Sequence, residues 1–480
     1  MNADLSAVPQ LQMLHPGQCQ TVHQASLEIL QRTGAQVFHN EAVSLLRQAG
    51  ATVGDDNLVR IPPALVDWAL QAAPPTISLY RRGSADVGVR LAAGHVNFGT
   101  GSDCLHYLDP RSGAVRDFTA ADVVDCVRLC DALPEINFVM SMGIPADLGS
   151  ANVYRQQFAL MLRHTVKPIV FVADTRSDCE AIVGLAAAAA GGLAQLQQRP
   201  TLLLYSEPTS PLRHSQTATD KLLYMAEQGL PVVHSPAPMM GGTAPVTLAG
   251  GLALGNAEAL SSLVIHQLKQ NGAPFVYGSG LHHLDMRTAI SVYGAPEFQL
   301  ARVAVAEMGR FYGLPTWGYA GHSDSQVMDE QAASDATFST LLALLSGANL
   351  VHDVGYLEAG LTTSPEMIVF TDEIIAMMRR FVAGFDLSAE ALALDVIHQV
   401  GPGGDFLSED HTLEHFRDFW QPTLFGRRRA AEWRAAGSPR LGARLREKTL
   451  ALLEAHRVEP LPAAAAEAVE RLAARVAPSS

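Results

Sequence analysis

The sequence predicts an α/β protein organised as a (β/α)8, or TIM, barrel, with a helical and β-hairpin extension before the barrel and helices after it. Three observations carry this prediction: eight short β-rich segments, helical stretches between them, and polar, Gly or Pro residues where most segments end. Near-continuous apolar segments are typical of parallel strands buried on both faces, and strand–helix alternation favours a parallel sheet. The expected boundaries are 1–92 for the extension, 93–385 for the barrel and 386–480 for a helical region packing on it.

The N-terminal extension begins with helical periodicity. Val22, Ala25 and Ile29 lie at i, i+3 and i+7, and Gly34 follows as a helix stop. The other elements predicted before residue 92 are a helix over 41–48, a helix opened by Pro62-Pro63 and a strand pair over 77–91.

The barrel prediction depends on a regular succession of β-rich segments, whose starts lie roughly 30 to 43 residues apart. The segments are 96–102, 137–144, 167–174, 201–208, 231–238, 274–280, 315–323 and 349–357. A doubly wound sheet is the alternative fold, but no segment is followed by the G-x-G-x-x-G fingerprint of its usual dinucleotide site.

The polar strand ends predict where the active site lies, because these ends gather at one mouth of a barrel. The seventh segment ends in the polar run His322-Ser323-Asp324-Ser325-Gln326, and Asp329 is a candidate N-cap for the next helix. An ordinary βα loop whose polar atoms satisfy the backbone explains this run equally well by itself. Six similar endings elsewhere favour a site.

Charge, cysteine usage and hydropathy narrow the functional class. The net charge of −14 gives no general electrostatic reason to bind nucleic acid or an anionic membrane. Five widely spaced cysteines do not form a disulfide framework, and Cys126 and Cys130 are read as two small buried residues of one helix. With no secretory signal at the N-terminus and only a short Ala/Gly-rich apolar run, at 181–194, we expect a cytoplasmic protein without a membrane span.

Common catalytic motifs are missing. The sequence contains no H-E-x-x-H, and the i, i+4 spacing of His411 and His415 supplies two ligands where zinc usually needs three or four. There is no G-x-S-x-G nucleophile elbow. We therefore predict no metal site, and catalytic residues stay unassigned.

Aromatic residues stand beside acidic residues at the predicted mouth. Aromatic faces and carboxylates together suit a quaternary or protonated amine, through cation–π and charge attraction. The alternative is that these rings simply fill the barrel. The candidate substrate-binding residues are Phe98, Tyr205, Glu207, Tyr277, Trp317, His322, Asp324, Gln326, His352 and Tyr356.

Five stretches spread along nearly the whole chain resemble the trimethylamine methyltransferase superfamily. The likeness is greatest to its members that lack pyrrolysine, whose known activity is glycine betaine:corrinoid methyl transfer. The stretches are LHPGQCQTVHQASLEILQRTGAQV, FGTGSDCLHYLDPRSGAVRDFTAADV, PMMGGTAPVTLAGGLALGNAEAL, SDSQVMDEQAASDA and GPGGDFLSEDHTLEHFRDFWQP.

This resemblance implies a TIM barrel that takes part in a two-protein reaction. The methylated amine binds at the mouth, and a separate corrinoid protein presents the Co(I) that accepts the methyl group. The chain itself then holds no tightly bound cofactor. A homo-oligomer is expected, since symmetric oligomers are common; the Arg427-Arg428-Arg429 run and the helical tail after it either pack on a second subunit or simply end the fold.

One departure from the family pattern bears on the substrate. Trimethylamine enzymes carry pyrrolysine in the loop that matches 323–329, where this chain has only ordinary residues. A quaternary ammonium releases a neutral tertiary amine and needs no extra activation, whereas a free tertiary amine releases a poor, amide-like anion. The departure therefore favours glycine betaine or a related quaternary amine.

Roles for individual mouth residues follow from this substrate class. His322 and Gln326 are candidate donors to a substrate carboxylate, and Asp324 would repel a carboxylate or attract an ammonium, a choice that stays open. Glu207 is the candidate that faces the ammonium, with a loop salt bridge or cap as the alternative. Trp317, Tyr205 and Tyr356 are cage candidates, and strand alternation places Trp317 on the same face as Tyr319.

Two other functions remain open at this point. One is a metal-dependent barrel hydrolase or lyase that uses the strand-end His and Asp residues. The other is a non-catalytic betaine-binding barrel.

Overall fold

Eight short parallel strands lie at the centre of the protein in the computed structural model, which describes residues 6–149 and 152–473. Each of them falls within, or overlaps, one of the eight segments predicted from the sequence. They are β1 (Asn97–Gly99), β2 (Ile136–Phe138), β3 (Ile169–Phe171), β4 (Leu202–Ser206), β5 (Val232–His234), β6 (Phe275–Val276), β7 (Trp317–Tyr319) and β8 (Leu350–His352).

The strand pairings run once around all eight strands. One four-stranded sheet has the order β2-β1-β8-β7 and the other has the order β3-β4-β5-β6. Single parallel bridges, Val139 to Ile169 and Tyr277 to Thr316, connect β2 to β3 and β6 to β7. This is the order of pairings that a (β/α)8 barrel has. The predicted α/β class with parallel strands is confirmed, and the doubly wound order is not observed.

A long helix follows every strand before the next strand begins. These helices are α1 (Ala120–Ala132), α2 (Val153–His164), α3 (Arg176–Ala190), α4 (Gln216–Gln228), α5 (Leu248–Lys269), α6 (Pro296–Tyr312), α7 (Glu330–Ser346) and α8 (Pro365–Val382). The predicted cap of α7 is confirmed, because the Asp329 carboxylate accepts a hydrogen bond from the Ala332 amide at 3.0 Å.

Alternate residues of the strands belong to two separate cores. Val170, Leu203 and Val233 face the interior of the ring, whereas their neighbours Ile169 and Leu202 pack against the surrounding helices. This alternation follows from the two-residue period of a strand. It decides which side chains at the strand ends point into the mouth.

The N-terminal extension contributes directly to the inner core. The hairpin of Ile77–Tyr80 and Val87–Leu91 places Leu79, Val89 and Leu91 among the side chains inside the ring. The hairpin also contacts the N-terminal ends of the ring strands, since the Tyr80 amide donates a hydrogen bond to the carbonyl of Pro200, just before β4. The hairpin therefore closes the end of the ring opposite the mouth. The other elements before it are Pro16–Glu28 with a π-helical end at Ile29–Thr33, Ala35–Val37, Asn40–Gln48, Thr52–Val53, Asp55–Asn57, Leu58–Arg60 and Pro63–Ala72.

Short strands and turns lie in the connections at the mouth. His106–Leu108 pairs with Val115–Asp117 and with Thr362–Thr363, which also pairs with Tyr356–Leu357. The remaining short elements of the barrel region are Leu193–Gln198, Arg213–His214, Met239–Met240, His282–Asp285, Ile290–Val292 and Glu358–Gly360.

The region after α8 falls into two parts. Leu441–Ala455 and Ala463–Ala473 bury Leu445, Leu453 and Val469 against the helices around the ring. In contrast, residues 376–423 include no buried residue. The elements of this region before residue 441 are Phe385–Asp386, which pairs with Ser6–Ala7, and Ala389–Leu392, Leu394–Val400, Asp410–His415, Phe416–Asp418 and Ala430–Ala435.

Two features bear on the expected environment of the protein. Within the described ranges, α5 alone is long and apolar enough to cross a membrane by length and composition, and 83% of its apolar window is buried inside the protein. That burial is what a core helix shows. All five cysteines are free and buried, and Cys126 and Cys130 lie together on α1 as predicted.

Candidate active site

A cavity of about 530 Å³ opens at the C-terminal ends of the strands. Side chains or backbone from all strand ends except that of β2 line it, together with residues of the following loops and helices. Its charged and aromatic lining residues include Asp103, Tyr205, Glu207, Lys221, Tyr293, Phe298, Tyr319, His352, Asp353 and Tyr356.

Aromatic rings form one wall of the cavity and the layer behind it. The His352 ring stacks on Trp317 with centroids 4.1 Å apart and lies 4.2 Å from the Tyr319 ring. Tyr205 stacks on Trp317 at 5.4 Å. Trp317 and Tyr319 both belong to the inner core, as strand alternation predicts. Bulky strand residues thus support the rings that the cavity exposes.

A second aromatic group comes from the connection between β6 and α6. Tyr293 stacks on Phe298 with centroids 4.9 Å apart. The Arg302 guanidinium lies behind them, 4.6 Å from the Phe298 ring and 4.5 Å from the Tyr319 ring. Arg302 donates to the carbonyls of Ser279 and Leu281, so it orders the end of β6 as well.

Three carboxylates face this aromatic cavity: Asp103, Glu207 and Asp353. Glu207 accepts a hydrogen bond from the Tyr205 hydroxyl. Its side chain is accessible from the cavity, yet protein surrounds the cavity, and desolvation, aided by the charge of Asp103, raises the Glu207 pKa to about 7. Desolvation likewise raises the pKa of Asp103.

Two of these carboxylates sit on strained backbone. The φ angle is 72° at Asp103 and 80° at Asp353, in the left-handed region that non-glycine residues rarely adopt. The space around the Asp353 carboxylate is also restricted, because a Cβ atom on Gly101 would lie 2.8 Å from Asp353 Oδ1. Strain of this kind persists where the surroundings enforce it, which is common at functional sites.

The histidines of the site are buried and short of hydrogen-bond partners. Nδ1 of His322 lies 3.8 Å from Asp353 Oδ2, and Nδ1 of His352 lies 2.6 Å from Asp353 Oδ1. Neither imidazole makes a contact with hydrogen-bond geometry. Desolvation lowers the His322 pKa to about 4, so this ring is neutral at neutral pH and has one N–H to donate.

One cation completes the charge pattern. Lys221 on α4 is buried, lines the cavity and donates to the carbonyl of Ala173. Burial lowers its pKa, while the carboxylates around it, Asp174 and Glu207 among them, act in the opposite direction. The cavity therefore offers aromatic faces and carboxylates to a cation, and one ammonium to an anion.

The structure brings together part of the predicted site. Tyr205, Glu207, His352 and Tyr356 line the cavity. Trp317 lies directly behind it, and His322 is packed edge-on against Tyr293 and Phe298.

Four predicted residues lie elsewhere. Phe98 and Tyr277 point away from the ring into the outer core, because Phe98 occupies an outward position of β1 and Tyr277 continues the alternation directly after β6. Asp324 accepts hydrogen bonds from the amides of Tyr293 and Gly294, at 2.7 and 2.9 Å. Gln326 is exposed and donates to the carbonyl of Asp324. Asp324 and Gln326 thus contact backbone groups, as the simpler interpretation of this polar run expects.

Sequence reasoning missed several lining residues. Lys221 lies inside a helix, where a single lysine in the stretch DKLLYMAE was the only signal. Tyr293 and Phe298 come from a loop and a helix start rather than a strand end. Asp103 and Asp353 follow strand ends, and their polar character was visible at those positions.

Histidines and carboxylates at this mouth are residue types that also bind metal ions. Within 6–149 and 152–473, no group of three or more His, Cys, Asp or Glu side chains is arranged to hold a metal ion. The cavity lining presents aromatic faces, carboxylates and a single lysine.

Comparisons with known proteins identify a family that matches nearly the whole chain. The trimethylamine methyltransferase (MTTB) family profile matches residues 3–478. Trimethylamine methyltransferase MttB of Desulfitobacterium hafniense is 33% identical over 446 residues, which cover 92% of this chain and 89% of that protein. A glycine betaine methyltransferase of the same species is 30% identical over 431 residues, 89% of each chain.

A solved structure supports the same architecture. The Methanosarcina barkeri monomethylamine methyltransferase (MtmB) superposes with a TM-score of 0.55 over 93% of this chain and 88% of that one, at 11% identity. A likeness at this identity concerns the fold only. On the match along the whole sequence, the protein belongs to the trimethylamine methyltransferase family.

Proposed function

We propose that the protein transfers a methyl group from a quaternary amine of the glycine betaine class to the Co(I) corrinoid of a partner protein, in the cytoplasm. We infer also that the ring of eight strands closes as a (β/α)8 barrel with this reaction at its mouth. One observation carries the proposal: aromatic rings and three carboxylates share a single cavity with one lysine. Family membership supports methyl transfer, and five free cysteines suit a reducing compartment.

The charge pattern of the cavity favours a zwitterion. A trimethylammonium group is stabilised by the faces of Tyr205, Tyr319 and Tyr356 and by the nearby carboxylates. The Lys221 ammonium offers a contact for a carboxylate at the other end of a betaine. A purely cationic amine, such as choline, would leave that ammonium without a counterpart.

The chemistry asks the protein mainly for position. As the C–N bond breaks, its electron pair stays on nitrogen and a neutral tertiary amine departs, while the methyl carbon forms a bond with the electron pair of the acceptor. The reduced corrinoid of the partner supplies that nucleophile. No proton has to move, so the enclosing cavity contributes by aligning the methyl group and by removing water from a cation that loses its charge.

The cavity rim leaves room for a partner. Leu361, in the lining, is 46% exposed, and Leu105, which donates its amide to the Leu361 carbonyl, is 51% exposed. Exposed apolar residues at the mouth suit a protein that docks to reach the methyl group.

The sequence of 323–329, which holds only ordinary residues, supports a substrate that needs no activation by pyrrolysine.

The deciding experiment is methyl transfer to free cob(I)alamin, followed by absorbance, from glycine betaine, other betaines, choline and trimethylamine. We expect turnover with a betaine and none with trimethylamine. Glu207→Gln is expected to weaken betaine turnover, and Glu180→Gln, on the exposed side of α3, serves as the matched control. Turnover with trimethylamine alone would refute the substrate class.

Binding must be measured beside turnover. If calorimetry detects betaine binding but no methyl transfer occurs, even when a corrinoid protein is supplied, the protein is a betaine-binding barrel and not an enzyme. Absence of both binding and turnover for every quaternary amine would reject the proposal.

A further inference from the structure

The segment of residues 385–419, termed the arm, is folded but lacks a core of its own. It contains the helices Ala389–Leu392, Leu394–Val400 and Asp410–His415, and none of its residues is buried. Isolated helices of this length are not stable in water. Packing against another surface is therefore required to hold them.

The arm exposes an unusual amount of apolar surface. Its large apolar side chains expose between 40% of Leu387 and 87% of Leu407, which corresponds to an area on the order of 1,000 Å². The ten exposed side chains are Phe385, Leu387, Leu392, Leu394, Ile397, Phe406, Leu407, Leu413, Phe416 and Phe419.

The arm is also strongly acidic. Its sequence has eight Asp or Glu residues and one arginine, Arg417. Among the described residues, Asp418 is the one arm carboxylate with an ion-pair partner, the neighbouring His415 at 2.8 Å. A partner surface for the arm should therefore be basic as well as apolar.

Such a surface exists further along the same chain. A cavity of about 750 Å³ lies between residues 421–428 and 433–444, termed the groove. Phe425, Trp433 and Leu441 line it beside Arg427, Arg428, Arg440 and Arg444. Residues 427–448 contain eight Lys or Arg against two Glu, in a chain whose net charge is −14. No described carboxylate lies within 4.0 Å of the Arg428 or Arg440 guanidinium.

We propose that the arm of one copy packs into the groove of a second copy, and that the second arm packs into the first groove. A two-fold axis makes both contacts equivalent, because each copy carries both halves of the interface. The apolar area that the arm exposes is of the same order as the roughly 800 Å² that a stable protein interface buries on each side. The opposite charges of arm and groove set which surfaces meet.

The position of the arm argues for a second copy rather than the methyl acceptor as its occupant. Both ends of the arm lie near the C-terminus of α8, where Arg380 donates to the carbonyl of Asp418. The adjacent Arg379 bonds to the carbonyl of Val96 and to Asn137, at the starts of β1 and β2. The arm is thus anchored at the end of the barrel opposite the cavity, and an acceptor has to reach the cavity end.

Charge reversal tests the pairing on the full-length protein. Light scattering coupled to gel filtration should show a dimer for the wild type. We expect Arg428→Glu with Arg440→Glu, and separately Glu390→Arg with Glu414→Arg, to raise the dimer dissociation constant at least tenfold. An equimolar mixture of the two variants should restore the dimer, because each arm then meets a groove of opposite charge.

Apolar contacts are tested by a second pair of variants. Leu413→Asp, at a side chain 70% exposed, should dissociate the dimer, whereas Met286→Asp, at a side chain 69% exposed in a hairpin outside the arm, should not. Circular dichroism checks that each variant is folded. A monomeric wild type at all concentrations, including one that binds the corrinoid partner through the arm, overturns the proposal, as does failure of the mixture to restore the dimer.

Discussion

Glu207 illustrates how the surroundings of one side chain set its chemistry. It directly follows β4, accepts a hydrogen bond from Tyr205 and faces the cavity, where desolvation and Asp103 raise its pKa to about 7. The Tyr205 hydrogen bond and the Lys221 charge oppose this shift but are smaller. Glu207 therefore changes its charge within the physiological range.

This titration predicts a pH dependence of ligand binding. A carboxyl group with a raised pKa is protonated below about pH 7, and only the ionised form attracts an ammonium. Affinity for glycine betaine should consequently rise with pH, and should be about tenfold weaker at pH 6 than at pH 8. Isothermal titration calorimetry across this range measures the effect.

The Glu207→Gln variant isolates the responsible group. It should bind betaine weakly at every pH, and the rise through pH 7 should disappear. If the variant keeps the wild-type profile, the titrating group is another one and Glu207 does not face the ammonium.

His322 leads to a prediction about catalysis itself. The ring is fully buried with a pKa of about 4, so it is neutral and poorly suited to donate a proton at neutral pH. General acid–base catalysis contributes roughly 100- to 10,000-fold. We expect His322→Ala to lose less than that, with kcat for methyl transfer staying within about tenfold of wild type.

The assay for His322→Ala requires kcat and ligand affinity from the same preparation. Abolished turnover with unchanged affinity would show that the reaction has an essential acid after all. A stability measurement is the control, because removing a buried ring opens a cavity.

Among single residues, the sequence predicted cavity-lining positions best near strand ends, where the backbone fixes the direction of each side chain. Tyr205 and His352 lie in the last two residues of their strands, Glu207 and Tyr356 follow strand ends, and all four reach the cavity. Lys221 was not predicted, because the helix that carries it gives no sign of which face meets the strand ends.

At the scale of the element, the loop after β7 acts as a support. The Asp324 carboxylate holds the amides of Tyr293 and Gly294, and Ser323 accepts from the amide of Ala359 and donates to Asp335. These contacts connect the loop to two others at the mouth. A polar run that was a candidate substrate contact is therefore a candidate for positioning Tyr293.

Removal of this support should have a large effect. Asp324→Ala eliminates two hydrogen bonds to a carboxylate and should lower the free energy of unfolding by roughly 2–3 kcal/mol. It should also weaken betaine binding, since Tyr293 lines the cavity. Urea denaturation and calorimetry measure the two effects.

Gln326→Ala, two residues away on an exposed side chain, is the matched control and should change stability by less than about 0.5 kcal/mol. Equal effects of the two substitutions would mean that the loop does not act through Asp324.

The strands themselves were predictable, and their lengths were not. Each predicted segment contains or overlaps an observed strand, yet the segments run seven to nine residues and the ladders two to five. The polar residues at the segment ends leave the ladder to form the mouth. Apolar patterning reports burial on both faces, but it does not report where hydrogen bonding between strands stops.

At the scale of the whole molecule, the boundary expected at residue 92 does not separate two cores. Leu79, Val89 and Leu91 of the hairpin share the inner core with strand residues such as Leu203 and Val233. The helices outside the ring and the hairpin inside it both have apolar sequences. The sequence pattern therefore did not predict that the hairpin closes one end of the ring. The extension is therefore part of the unit that positions the cavity.

This shared core predicts that a mutation in the hairpin destabilises the whole protein while leaving the ligand site intact. Leu79 is fully buried, so Leu79→Ala should lower the free energy of unfolding by about 3 kcal/mol. Val87 lies in the same hairpin with 48% exposure, and Val87→Ala should cost less than about 0.5 kcal/mol.

The shared core also predicts a single unfolding transition for Leu79→Ala. The transition measured by tryptophan fluorescence, to which Trp317 inside the ring contributes, should coincide with the transition measured by circular dichroism. Betaine affinity below the transition should stay at the wild-type value, because the hairpin and the cavity lie at opposite ends of the ring. Two separate transitions, only one of which shifts in Leu79→Ala, would show instead that residues before 92 fold as an independent domain.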